Sequence, residues 1–306
     1  MWHALGVFEV DGAAVAALIL DGGAFELAAL LREHPSKALD AAVARGLLPE
    51  LGNWPAIAAD LATLAWKAAA GSAKAKPMPQ GARLVAPFTP PRIFAAASNY
   101  VEHAAEMGTV LAAKAESAPY VFMKASTSVI GPEAPIILPP TARQVDWEVE
   151  LAAVIGRGGR NIAVGEALAH VAGYAIMNDI SARDLTRRSD YPFKFDWFRG
   201  KSFDTFGPFG PWLVPAAVVG DPQKLHLRLD VNGTTMQDDE TSAMIFTVAE
   251  QIAYLSSIVT LHPGDVIATG TPDGVGMGRN TFLKDGDVVV ATIERIGTLR
   301  NPVIAT

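Results

Sequence analysis

The sequence predicts an α+β protein, mainly β, with a small α/β domain at its N-terminus. Three observations predict it. From Leu84 onward, short apolar runs alternate with Pro and Gly, the texture of many short strands. Residues 24–45 and 54–70 are instead rich in Ala and Leu, as helices are. Between the two regions, residues 70–81 (AGSAKAKPMPQG) have the composition of a linker. These place a small N-terminal domain over 1–83 and a larger domain over 84–306.

In order along the chain, Val7–Val10 and Ala13–Leu20 flank Asp11-Gly12, a hairpin signal. The helical stretch from Ala24 to Arg45 is interrupted around Pro35, and Ser36 can cap its second half. Ile93–Ala97 and Tyr120–Met123 read as strands, the second ending in Lys124. Val101–Met107 can form one or two helical turns, which place His103 and Glu106 on one face. Val164–Val171 is a short helix and Ala172–Met177 a strand. Asn232-Gly233 marks a second hairpin, and Thr247 with Glu250 makes a capping box for a helix through Val259. Val266–Thr269 and Val288–Ile293 read as strands near the end.

The stretch with most chemistry is Val145-Asp146-Trp147-Glu148-Val149-Glu150-Leu151. Side chains two apart share a face in a strand, so Trp147, Val149 and Leu151 face one way and the three acids the other. An ordinary strand with an acidic wet face has the same pattern. The continuation Leu151–Ile155, however, is apolar on both faces, as in a strand entering the interior. Neighbouring carboxylates there repel, and a hard divalent cation relieves them. Asp179, at the end of the apolar run Ala172–Met177, is the candidate third ligand. It can equally cap a helix over Ile180–Arg188. Gly200-Lys201-Ser202 lacks the preceding glycine of a phosphate loop, since Phe195 stands there. Lys201 is then either a surface turn residue or a buried ammonium that needs partners. Residues 270–278 (GTPDGVGMG) can aim backbone N–H groups at an anion, with Thr271 adding a hydroxyl; a plain turn is the other reading.

Composition bounds the function. The chain has 306 residues, 50% hydrophobic and 19% charged, and a formal net charge of −7. Disorder is excluded, and nucleic acid or an anionic membrane surface is an unexpected partner. The absence of cysteine removes thiolate ligands, cysteine nucleophiles and disulfides. No apolar run is long enough to span a bilayer, and Met1–Val10 does not read as a secretory signal, so a cytoplasmic protein is the expectation.

Taken in order, several motifs resemble those of the fumarylacetoacetate hydrolase family. They are Asn99-Tyr100 with His103 and Glu106, Phe122-Met123-Lys124, Asp146 to Leu151, Asn178 to Asp184, Arg199 to Asp204, Gly264 to Ile267, and Thr269 to Pro272. The resemblance covers roughly Leu84 to Val303. It implies a mixed β-sandwich roll, commonly a homodimer, often with a smaller N-terminal domain. It also implies Mg²⁺ or Mn²⁺, with Ca²⁺ in some members, held by Glu148, Glu150 and Asp179. His103 and Glu106 match the catalytic pair on a mobile lid helix, and Lys201 the active-site lysine. Lys124, Arg183 and Thr271 match substrate-contacting positions. Two positions depart from the pattern: Thr186 stands where many members have Gln, and Ala95-Ala96-Ala97-Ser98 where glycine is frequent.

The implied substrate is a small 2-keto acid of acylpyruvate type. Its cation-stabilised enolate leaves as pyruvate while His103, oriented by Glu106, activates water and Lys201 neutralises charge. The same constellation would serve a decarboxylase, isomerase or keto–enol tautomerase, because each passes through an enolate.

Overall fold

A computed structural model describes all residues except 22, 74, 109, 111 and 306. The expected lid segment from Tyr100 to Lys114 includes Thr109 and Leu111, and the linker includes Lys74; these three lie outside the described residues.

The N-terminal hairpin pairs Ala4–Val10 with Ala13–Leu20, from Ala4 opposite Ile19 to Val10 opposite Ala13. Asp11 (φ 49°) and Gly12 (φ 80°) supply the two left-handed residues that a tight hairpin turn with the right twist requires. A third strand, Gly23–Glu26, pairs with Ala17–Leu20 where helix is expected from Ala24. Sheet pairing overrides local propensity there, and the first helix, Leu27–Glu33, begins three residues later. After Pro35, the Ser36 hydroxyl accepts the Leu39 N–H at 3.1 Å and caps the helix Lys37–Arg45. The helix Trp54–Ala69 follows.

Among the described residues one large sheet carries the architecture. Its path runs Gly23–Glu26, Ala13–Leu20, Ala4–Val10, Gly207–Pro215, Val171–Asn178, Val149–Ile155, Val266–Ala268, Ile93–Ala97, Tyr120–Lys124. The N-terminal hairpin thus continues the sheet of the larger region, through Leu5 opposite Leu213. A second sheet of five strands is built from Thr234–Glu240, His226–Val231, Val288–Ile293, Gly297–Ala305 and Ile136–Leu138. Asn232 (φ 52°) and Gly233 (φ 76°) turn its hairpin. No described helix is long and apolar enough to cross a membrane.

Two cores explain why Leu151–Ile155 is apolar on both faces. Val149, Leu151, Ala153 and Ile155 pack between the sheets, with Leu227, Leu229, Val289 and Ala291 opposite. Ala152 and Val154 face the other way, onto Leu27, Leu30, Leu39 and Leu61 of the N-terminal helices. A strand covered on both faces has no wet side, so alternation shows only at its mouth, where the acids stand. The helix Val248–Ile258 closes the inter-sheet core through Val248, Ile252 and Leu255. Its start is the expected capping box of Thr247 and Glu250.

Candidate active site

The acidic strand is not continuous. Val145–Asp146 pairs with Ser181–Ala182, and the ladder resumes at Val149 beside Asn178. In the gap, Trp147 is fully buried and its indole N–H donates to Gly274 O at 3.1 Å. The Trp147 and Glu148 amides are taken up by Asp146 and the Asn178 side chain. This break separates Asp146 from the other two acids.

Glu148, Glu150 and Asp179 converge: one oxygen of each lies within 4.8 Å of the other two, and all three are buried. Asp179 caps no helix. Ser181–Ala182 is a strand, and the helix that follows is the single turn Arg183–Thr186, so the helix over 180–188 is much shorter than the alternative reading expects. Lys201 is buried, at the end of the helix Trp197–Lys201. It donates to Glu148 Oε2 at 2.7 Å and to Asp179 Oδ2 at 2.6 Å, and the surface-turn reading is thereby set aside. Lys124 donates to the other Asp179 oxygen at 2.5 Å and to the Lys201 carbonyl. Arg183 pairs with Asp146 Oδ2 at 2.8 Å and with Glu148 Oε1 at 2.5 Å.

The charges do not balance. Asp146, Glu148, Glu150 and Asp179 meet Lys124, Lys201 and Arg183, and among the described residues Glu150 has no cation in contact. Among the described residues its Oε2 accepts only the Gly270 N–H, at 2.9 Å. Burial, reinforced by Asp179 and Glu148, pushes the Glu150 carboxyl well above the usual carboxylate range. Burial acts on Glu148 in the same sense, but Lys201 and Arg183 outweigh it and hold that carboxyl low. Lys201 is raised, because Asp179 and Glu148 overcome the burial of its ammonium. For Lys124 burial wins, and its ammonium is lowered. A cluster of three buried carboxylate oxygens, one acid of it unpaired, fits a hard divalent cation such as Mg²⁺ or Mn²⁺.

A cavity of about 430 Å³ opens beside this cluster. Its polar lining includes Glu148, Lys201, Arg183, Arg187, Thr271 and His103, and Tyr120, Phe122, Phe195 and Trp197 form its aromatic wall. His103 is buried on the helix Val101–Glu106, with Nδ1 3.6 Å from Glu106 Oε2. Glu106 in turn accepts the Gly274 N–H. Thr271 lines the cavity while its hydroxyl donates to Val149 O and accepts from Gln237. Lys124 is not among the lining residues: its ammonium is turned to Asp179. Thr186, the departure from the family pattern, lines the cavity and packs against Gly200, where an added Cβ would lie 2.2 Å from its methyl group. At the other departure, Ala96, Ala97 and Ser98 line the same cavity.

The glycine loop does hold anions, and they are the protein's own carboxylates. Gly270 N–H serves Glu150, Gly274 serves Glu106, and Gly276 and Met277 serve Asp146. Asp146 is the functional position that sequence reasoning left without a role. The signal was its place in the acidic alternation, but the break at Trp147 makes it a clamp between Arg183 and the loop.

A profile of the fumarylacetoacetate (FAA) hydrolase C-terminal region matches residues 92–304. The chain is 44% identical over 224 residues to human oxaloacetate tautomerase FAHD2B, mitochondrial, covering 72% of this chain and 69% of that protein. It is 45% identical over 215 residues to 2,4-didehydro-3-deoxy-L-rhamnonate hydrolase of Sphingomonas sp. (strain SKA58), covering 69% and 73%. The crystal structure of maleylpyruvate hydrolase from Sphingobium sp. SYK-6, in complex with manganese(II) and pyruvate, superposes with a TM-score of 0.75 at 27% identity over 99% of each chain. With the profile spanning most of the sequence, and relatives this similar over two thirds of it, the chain belongs to the fumarylacetoacetate hydrolase family.

Proposed function

We propose that the chain is a divalent-cation-dependent hydrolase that cleaves a C–C bond in an acylpyruvate or other 2,4-diketo acid, giving pyruvate and a second acid. The observation that carries this reading is His103, on the wall of the cavity that also reaches Glu148 and Lys201, with Glu106 beside its Nδ1. A water-activating base beside an enolate-stabilising centre is what hydrolysis of a β-diketone requires.

Glu148, Glu150 and Asp179 would hold the cation, which when bound would supply Lewis-acid polarisation of a keto oxygen. The protein's own groups do the rest. Glu106, fixed by Gly274, faces Nδ1 of His103, so the other ring nitrogen is left to take a proton from water. The water oxygen bonds to C4, the C3–C4 bond breaks, and its electron pair passes into the pyruvate enolate. A proton returned to C3 completes pyruvate, and C4 leaves as the carboxyl of the second acid. Lys201 lines the cavity and offsets charge that develops on the enolate. Arg183 and Thr271 border the position of the substrate carboxylate. Lys124 holds Asp179 and the Lys201 carbonyl, a positioning role rather than direct substrate contact.

A second reading, keto–enol tautomerisation of oxaloacetate, is favoured by the identity to the human tautomerase. Decarboxylation or isomerisation of related diacids would draw on the same centre. NMR of products from acylpyruvates, sugar-derived 2,4-diketo acids and oxaloacetate, with Mg²⁺ or Mn²⁺, separates them. Hydrolysis gives pyruvate plus an acid, decarboxylation gives CO₂, and tautomerisation gives neither. Turnover of oxaloacetate alone would replace the hydrolase reading by the second.

A further inference from the structure

Arg187 stands on the cavity wall, four residues after Arg183, and the mechanism above makes no use of it. Its guanidinium carbon lies 5.6 Å from the centre of the Phe195 ring, which stacks on Trp197 at 6.1 Å and 26°. Trp197 stacks in turn on Phe122, at 5.2 Å and 25°. A guanidinium held over a ring by its face keeps its N–H donors free along its edge, in the plane that suits a carboxylate. Among the described residues no acid pairs with Arg187, although the whole chain carries −7.

The surroundings are cationic as well. Residues 187–201 contain Arg187, Arg188, Lys194, Arg199 and Lys201 against Asp190 and Asp196, five positive charges to two negative. Arg188 engages both of those acids, at 2.7 and 3.4 Å. No acid of the segment is thus left to compensate Arg187. The cavity therefore has cationic side chains of two kinds: Lys201 and Arg183, already committed to carboxylates of the protein, and Arg187, committed to none. Between them runs the flat aromatic wall.

From this geometry we infer that Arg187 is a specificity-determining residue that receives a second, distal carboxylate. The substrate is then a dianionic 2-keto diacid, whose acyl chain lies along Phe122, Trp197 and Phe195. The inference rests on the proposed 2-keto acid substrate and adds the chemistry of its far end. An exposed arginine–carboxylate pair is modest in strength, so the effect is one of selection rather than of catalysis.

The test uses the full chain loaded with Mn²⁺ and two pairs of ligands that lack the 4-keto group and are not cleaved. They are 2-oxoadipate against 2-oxohexanoate, and 2-oxopimelate against 2-oxoheptanoate. Calorimetry should show the better-fitting diacid binding at least about fivefold tighter than its monoacid, the upper range for such a pair. In Arg187→Met that ratio should fall to near one, and Arg187→Lys should restore part of it. Equal affinity for diacid and monoacid, or a preference that survives in Arg187→Met, overturns the assignment to Arg187. Failure of all four ligands to bind would instead defeat the 2-keto acid reading, and this inference with it.

Discussion

Glu106 accepts the backbone N–H of Gly274, with its two carboxylate oxygens at 3.2 and 3.1 Å, and so ties the helix that carries His103 to the loop that holds Glu150. The approach is close: a Cβ on Gly278 would lie 2.3 Å from the Glu106 side chain. We propose that this contact acts as a latch on the expected lid. Glu106→Gln should weaken it, speeding hydrogen exchange at the Gly274 amide and lowering hydrolysis about 10²-fold. Unchanged protection at Gly274 would count against the latch.

The same carboxylate makes the latch sensitive to acid. Burial raises the Glu106 carboxyl, but the neighbouring His103 ring and the Gly274 N–H outweigh it, and the group lies below its usual value. A depressed folded pKa gives stability that is present above the unfolded value, near 4.3, and lost as pH falls through the folded one. Wild type should therefore melt above Glu106→Gln at pH 6, and the difference should shrink below about pH 4. A difference that grows on acidification would reverse the sign of the argument.

Glu150 is the acid with no cation in contact among the described residues, so its removal has two opposite effects. Glu150→Gln should lose at least about 100-fold in Mn²⁺ affinity by calorimetry, because three oxygen ligands are already few. In chelator-treated protein the same change should not lower the melting temperature, since it relieves repulsion from Asp179 and Glu148. Full Mn²⁺ affinity in this variant would mean that the cation sits elsewhere.

Asp146 holds together the region around these groups, through Arg183, Gly276 and Met277. Asp146→Ala would leave the buried Arg183 without one of its two partners. The expected loss is about 3–5 kcal/mol in urea unfolding, the usual cost of breaking a buried pair. A loss under ~1 kcal/mol would show that Glu148 alone suffices for Arg183.

Much of the site was legible because its signals are local. Glu148 and Glu150 two residues apart, Asp179 at the end of an apolar run, and His103 three residues before Glu106 remain neighbours in space. The capping box at Thr247 and the cap at Ser36 are likewise local hydrogen bonds. What was not legible depends on partners distant in sequence. Gly207–Pro215 contains Pro208, Pro211 and Pro215, which argue against a central strand. It nevertheless lies between Ala4–Val10 and Val171–Asn178, where its pairing shifts register between Tyr174 and Ile176 and so accommodates residues that cannot donate. Gly23–Glu26 is strand because Ala17–Leu20 offers it an edge. The ladder break that makes Asp146 a clamp depends on Gly274 and Asn178, neither of them near it in sequence.

Hydrolysis and enolate chemistry ask different things of the site, and His103 separates them. Attack at C4 needs an activated water, whereas decarboxylation of oxaloacetate needs only the cation centre and Lys201. The decisive measurement is therefore product formation by His103→Ala, followed by NMR with Mn²⁺, on an acylpyruvate and on oxaloacetate side by side. Pyruvate release from the acylpyruvate should fall about 10²- to 10⁴-fold, with Mn²⁺ affinity and any decarboxylation of oxaloacetate retained. Equal loss of both activities, or acylpyruvate cleavage at the wild-type rate, would contradict the assignment of His103 as the base of a C–C hydrolase.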